Sequence, residues 1–138
     1  MFSKSCIIDD ATLYYLNGLK KAVDYVLVVA DNYLMPNEIK KLDGLASYTY
    51  FSRHNTYDFG SYKIGFLKAK EMFGLKNISK IIFCNDTCYG PFTSFTHIIN
   101  EMNKSNTDFY GVASNYEFQY HIQSYFWILG KCLQNKAI

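Results

Sequence analysis

Short apolar runs of strand type alternate with helical apolar spacings along the chain, and this alternation narrows the possible architectures more than any other feature. Tyr25-Val26-Leu27-Val28-Val29-Ala30 is continuous and rich in β-branched residues, the pattern of a strand covered on both faces. Tyr48-Thr49-Tyr50-Phe51 and residues 80–84 read the same way, and residues 108–113 and 122–129 are the last strand candidates. Between them lie helical stripes. Leu13, Leu16, Leu19 and Val23 follow a cap at Asp9 or Asp10. Pro36 opens a short helix through Ile39 and Leu42, a position where its missing N–H does no harm. Tyr62, Phe66, Ala69 and Phe73 share one helical face, as do Phe95, Ile98, Ile99 and Met102. The alternation predicts an α/β fold: a single Rossmann-like domain with a mainly parallel sheet flanked by helices. Strands ending near Asn32, Arg53 and Cys84 should lie parallel. No linker, repeat or low-complexity tract divides the chain, so residues 1–138 are expected to form one domain.

Composition excludes several function classes. With 49% hydrophobic and 19% charged residues among 138, the chain reads as a soluble globular domain with apolar mass for a core. A net charge of +2 gives no electrostatic footprint for nucleic acid or a membrane surface. No apolar run is long enough to span a bilayer and no signal-peptide pattern opens the chain, so a cytoplasmic location is expected. Cys84 and Cys88 are separated by three residues with no second pair, so Cys6, Cys84, Cys88 and Cys132 are expected as free, buried or half-buried thiols.

Two polar clusters break the strand runs. Ile81-Ile82-Phe83-Cys84 stops at Asn85-Asp86-Thr87, followed by a turn at Gly90-Pro91, and Arg53-His54-Asn55-Thr56-Tyr57-Asp58-Phe59-Gly60 follows the preceding strand. In α/β folds ligands bind outside the carboxyl ends of strands, so Arg53, Asn55, Asp58, Asn85 and Asp86 are expected to converge on one cleft. Of 14 basic residues only Arg53 is arginine. A guanidinium is not replaceable by lysine where a planar donor must meet a carboxylate or phosphate. Arg53 therefore either faces an anionic ligand or orders its own loop by pairing with Asp58, and the two roles are compatible. Asp58-Phe59-Gly60 lacks the context of a kinase magnesium motif; Asp58 or Ser61 reads instead as the cap of a helix starting near Gly60, whose N–H groups suit an anion.

The clusters occur in a specific order: Arg53-x-Asn55-x-x-Asp58-Phe59-Gly60, then Asn85-Asp86-Thr87-x-Tyr89-Gly90-Pro91, then Asp108-Phe109-x-Gly111, then His121-x-Gln123-Ser124-Tyr125-Phe126. This order resembles the rhamnan synthesis protein F family of bacterial polysaccharide glycosyltransferases, over about residues 8–133. The resemblance implies a GT-A-like domain transferring a sugar, L-rhamnose from dTDP-rhamnose, to a growing cell-surface polysaccharide. It implies a nucleotide-sugar donor, a lipid-linked glycan acceptor, and work at the inner face of the cell membrane. Asn85-Asp86-Thr87 stands where many such enzymes carry an Asp-x-Asp metal motif, with Asp86 its only carboxylate here. Asp86 is accordingly the expected ligand of Mg²⁺ or Mn²⁺, which take oxygen ligands from diphosphate and water as well. Thr56 stands where the family tends to have glycine, and the chain is shorter than the family pattern at both ends. The expectation is thus a piece of a longer enzyme or a compact relative, and transfer by these residues alone is not implied.

Sugar transfer with inversion needs a base for the acceptor hydroxyl and a stabiliser for the departing diphosphate. Arg53, Asn55, Asp58, Lys63, Asn85 and Thr87 are the candidate nucleotide-sugar contacts, and Asp108, Glu117 and His121 the candidate catalytic groups. Asp108 reaches the ligand edge only if its strand starts there; otherwise it sits at the far end or caps a turn. Tyr116, Phe118, Tyr120, Tyr125, Phe126 and Trp127 could stack on sugar rings or belong to the core. The alternative from another class is a non-catalytic or degenerate nucleotide-sugar or glycan binding module. A receiver- or flavodoxin-like domain fits poorly, because the first strand lacks an acidic pair or a phosphate-binding loop.

Overall fold

A computed structural model describes residues 5–130. Helix α1 spans Asp10–Lys20, and Asp9 caps it by accepting from the Thr12 N–H at 2.8 Å. That bond holds the Asp9 carboxyl below its usual range. Strand β1 (Leu27–Ala30) follows, then α2 (Pro36–Lys40) with proline in its first turn, β2 (Tyr48–Phe51) and α3 (Tyr57–Phe73). Helix α3 stops at Gly74, whose φ of +71° favours a residue without a Cβ. After a 3₁₀ turn at Leu75–Asn77 come β3 (Ile81–Cys84) and α4 (Phe95–Ser105), the latter capped by Ser94. The remaining strands are β4 (Phe109–Gly111), β5 (Ser114–Asn115), β6 (His121–Ile122) and β7 (Phe126–Leu129).

The expected single, mainly parallel Rossmann-like sheet is not what forms. β1 and β2 are parallel neighbours, with Ala30 opposite Phe51. β3, however, belongs to a second sheet of order β3-β7-β4, in which β7 runs antiparallel to both partners. β5 and β6 form a separate antiparallel pair. Parallel neighbours need a crossover of a dozen or more residues, as α2 and its flanks supply between β1 and β2. The segment through α4 likewise returns β4 in the direction of β3, but the chain then turns through the β5–β6 hairpin and β7 inserts between them, antiparallel to both. The span read as one strand at 122–129 is broken at Gln123, Ser124 and Tyr125, so β6 and β7 join different sheets.

The core lies between α1, α4 and the strands. Ile8, Leu16, Leu19, Val28, Met102 and Ile128 are buried, and Phe95 of α4 stacks on Phe126 of β7 with ring centroids 5.4 Å apart. The expected stripes of α1 and α4 face this core, with Leu13, Val23, Ile98 and Ile99 at its margin. α3 is different: Ser61 is its only buried residue, and it packs through Tyr62, whose ring lies edge-on to Phe83 and Trp127, and through Phe73, whose ring centroid is 4.3 Å from that of Tyr25. Gly111 lies so close to the Ile122 side chain that a Cβ there would collide with it. Cys6, Cys84 and Cys88 are free and half-buried, as expected, and burial pushes the Cys84 thiol up to about 11. Cys132 lies outside the described residues.

Candidate functional site

Parallel pairing of β1 and β2 brings their carboxyl ends side by side, so Asp31 and Arg53 emerge together. Asp31 organises the loop that follows β2. Its Oδ1 accepts from the backbone N–H of His54 at 2.6 Å and of Asn55 at 2.9 Å. The bond from Asn55 first, then that from His54 and the nearby His54 and Arg53 charges, hold its carboxyl below the usual range. Arg53 donates through Nε to Asn55 Oδ1 at 2.9 Å and through a terminal nitrogen to the Asp31 carbonyl at 3.4 Å. Asn55 and Tyr57 both adopt positive φ, 54° and 52°, a conformation costly for residues other than glycine. The Asp31 bonds act directly on this segment at Asn55.

The loop feeds the N-terminus of α3. Thr56 is the N-cap residue but caps nothing with its side chain; its hydroxyl lies 2.6 Å from His54 Nδ1 instead. Gly60 sits beneath that hydroxyl, and a Cβ at Gly60 would overlap Thr56. The His54 Nε2 is 3.0 Å from the buried Ser61 Oγ. The expected capping by Asp58 or Ser61 is therefore replaced: both lie inside a helix that begins at Tyr57. Asp58 instead spans to β3, its Oδ2 accepting from Asn85 Nδ2 at 2.8 Å. Asn85 Oδ1 in turn accepts from the Thr87 hydroxyl at 2.8 Å.

These segments enclose a cavity of about 510 Å³ lined by Ile7, Asp9, Thr12, Asp31, Arg53, Asn55, Tyr57, Asp58, Ser61, Asp86 and Thr87. Arg53, Asn55, Asp58, Asp86 and Thr87, named from the sequence, thus share one cleft, with Asn85 bonded to its wall. A larger cavity of about 690 Å³ adjoins it between β1, β3, α1 and α3, sharing Asp58 and Ser61. Its wall is largely apolar, including Val26, Val29, Phe66, Phe73 and Ile82. Burial, then the Asp58 charge, push the Tyr62 phenol above its usual value, so it stays protonated and donates to the Ser124 carbonyl at 2.9 Å.

Four named residues lie elsewhere. Lys63 is exposed on α3 and lines neither cavity. Asp108 precedes β4, whose first residue, Phe109, is opposite Leu129; Leu129 is also opposite Ile81 at the start of β3. Asp108 therefore sits at the end of the sheet remote from Asn85 and Asp86. Glu117 and His121 belong to the β5–β6 hairpin, exposed, with His121 Nδ1 2.9 Å from the Gln119 carbonyl. Asp31 was missed because it reads as the polar end of a strand; the β1–β2 register, with Ala30 opposite Phe51, is what brings it to the start of the Arg53 loop. Among the described residues no three His, Cys, Asp or Glu side chains group to hold an ion. Also among the described residues, no helix is long and apolar enough to cross a membrane.

Comparison with known proteins adds three findings. Two proteins from Vibrio anguillarum named virulence protein VirA, one of them from strain ATCC 68554 / 775, are each 33% identical over 69 residues, which is 50% of this chain. The match covers 21% of their length, so the chain spans about a fifth of these relatives. No solved structure matches. The family model described as rhamnan synthesis protein F matches residues 26–137, a span that holds all four ordered motifs and most of the cleft; the chain belongs to the rhamnan synthesis protein F family.

Proposed function

We infer that the cleft at the ends of β1, β2 and β3 binds the diphosphate of a nucleotide sugar, dTDP-L-rhamnose, in a protein that transfers the sugar to a growing cell-surface polysaccharide. The observation that carries this reading is the gathering of Arg53, Asn55, Asp58, Asp86 and Thr87 on one cavity of about 510 Å³, in a chain of a rhamnan synthesis family. The first turn of α3 opens onto the same cavity through Tyr57 and Asp58, without a side-chain cap. Its N–H groups and the Arg53 guanidinium are the donors a diphosphate would use.

Charge adds a constraint. The cavity carries four carboxylates, Asp9, Asp31, Asp58 and Asp86, against one guanidinium. Asp9 and Asp31 accept from backbone N–H groups and Asp58 from the Asn85 amide; together the four carboxylates repel a bound anion. A diphosphate fits this wall when a divalent cation arrives with it, held on the protein side by Asp86 with other oxygens from the ligand and water. Mg²⁺ or Mn²⁺ there would neutralise charge on the departing diphosphate. Arg53 orients the leaving group, Asn85 fixes Asp58, and Asp31 holds the loop that presents Arg53. None of the base candidates lines this cleft: Glu117 and His121 are exposed on the β5–β6 hairpin, and Asp108 lies at the far end of the sheet.

Amide chemical-shift mapping by NMR tests the reading. Titration with dTDP-L-rhamnose and Mg²⁺ should move the resonances of Asp31, Asn55, Asp58, Asp86 and Thr87 together. Shifts scattered over the surface, or none, would refute it. The non-catalytic module is separated by turnover: binding without release of dTDP in the presence of acceptor selects it.

A further inference from the structure

The β5–β6 hairpin presents an aromatic surface that neither the core nor the cleft uses. Asn115 is opposite His121, which leaves Tyr116, Glu117, Phe118, Gln119 and Tyr120 as the tip. Tyr116, Phe118 and Tyr120 are 75%, 90% and 60% exposed. Tyr116 and Tyr120 meet across the tip with ring centroids 5.0 Å apart. The loop is shaped from within: the Glu117 N–H donates to Asn115 Oδ1 at 2.9 Å, and His121 Nδ1 lies 2.9 Å from the Gln119 carbonyl. Three largely exposed rings gathered on one turn form an apolar patch, the kind of surface that marks an interaction site.

The base of the hairpin is tied to the cleft. The Gln123 N–H donates to the Ala113 carbonyl at 2.9 Å, closing the hairpin. The next residue, Ser124, accepts from Tyr62 of α3, and the Tyr125 carbonyl accepts from the N–H of Asn85. Asn85 is the residue that bonds Asp58 on the cleft wall.

We propose that this hairpin tip is a saccharide-binding platform, on which the acceptor glycan lies with its sugar rings against Tyr116, Phe118 and Tyr120. Its role as the acceptor subsite rests on the sugar-transfer reading; saccharide binding at the tip does not. The chemistry selects the occupant. The apolar C–H faces of a sugar ring pack on aromatic rings, while its hydroxyls need donors and acceptors beside them. Glu117 and Gln119 alternate with the rings, and His121 and Gln123 follow. From Val112 to Gly130 the chain has no lysine or arginine, so the tip lacks the basic residues with which an interfacial loop engages anionic lipid. Its charge pattern suits an uncharged, polyhydroxylated chain.

The test compares the unaltered chain with a triple variant, Tyr116→Ser, Phe118→Ser and Tyr120→Ser, and with a conservative variant, Phe118→Tyr. All four changes are on exposed side chains, and thermal melting by circular dichroism verifies that the variants remain folded. Binding of a neutral rhamnan oligosaccharide is read by NMR titration, with dTDP-L-rhamnose and vesicles of anionic phospholipid as parallel probes. The triple variant should lose at least about ten-fold in oligosaccharide affinity, as truncation of aromatic anchors does, and keep its affinity for dTDP-L-rhamnose. Phe118→Tyr should retain oligosaccharide binding. Oligosaccharide affinity unchanged in the triple variant, or absent from the unaltered chain, would overturn the proposal. Vesicle binding that vanishes in the triple variant, without saccharide binding, would replace it with a lipid surface. Oligosaccharide bound at the tip with no dTDP-L-rhamnose in the cleft would overturn the donor reading and leave the saccharide platform standing.

Discussion

Replacing Arg53 by lysine keeps the positive charge and removes the fork. In the folded chain Arg53 Nε is occupied by Asn55 Oδ1 at 2.9 Å, and a terminal nitrogen reaches the Asp31 carbonyl at 3.4 Å. Guanidinium has five N–H donors in one plane, so it can hold the loop and meet a diphosphate at once. An ammonium cannot do both from the same position. A hydrogen bond to a charged group contributes about 1.5–3 kcal/mol. Arg53 is exposed, where solvent screening favours the lower end. Arg53→Lys should therefore weaken dTDP-L-rhamnose binding about ten-fold, and Arg53→Ala, which also removes the charge, up to about a hundred-fold. Displacement of a fluorescent dTDP analogue in Mg²⁺ measures both, with thermal melting as the check on folding. Affinity within two-fold of the unaltered chain for both variants would refute the assignment of Arg53 to the anion.

Three further outcomes follow from the geometry. The folded-state pKa of Asp31 is depressed from 3.8, so the stability it contributes is present in full above that value and lost as pH falls through the depressed one; Asp31→Asn should flatten this acid limb of pH-dependent melting, and an unaltered limb would refute the role given to Asp31. Phe126→Ala removes a buried ring stacked on Phe95 and should cost about 3–5 kcal/mol in denaturant unfolding, whereas a loss below about 1 kcal/mol would contradict the core described here. Asp108→Asn should leave dTDP-L-rhamnose binding unchanged, because Asp108 is at the sheet end level with the start of β3, across β7 from it, rather than at its carboxyl end; a clear loss of binding would place that carboxylate at the cleft after all.

The helices and the β1–β2 pair were legible because each rests on a local signal: an apolar stripe, a cap, or a β-branched run joined by a crossover long enough for parallel pairing. The strand-end cluster was legible for the same reason, since Arg53 and Asn85 stand where apolar runs break. Sheet organisation was not. A run such as Ile81-Ile82-Phe83-Cys84 presents the same pattern to a parallel or an antiparallel neighbour. Its true neighbour is Phe126–Leu129, more than forty residues on, and no periodicity in either run encodes that pairing. The break at Gln123, Ser124 and Tyr125 was hidden because those residues sit between apolar flanks with no glycine or proline to mark a turn. Asp31 was invisible as a loop anchor because its partners are backbone N–H groups at His54 and Asn55, which carry no residue-type signature.

Calorimetric titration of the unaltered chain with dTDP-L-rhamnose, with and without Mg²⁺, tests the central claim most directly. The account predicts saturable one-site binding in Mg²⁺, and markedly weaker binding in chelator, because the cleft carboxylates then face the diphosphate without a cation between them. Absence of binding in Mg²⁺, or equal affinity with and without it, would contradict the account.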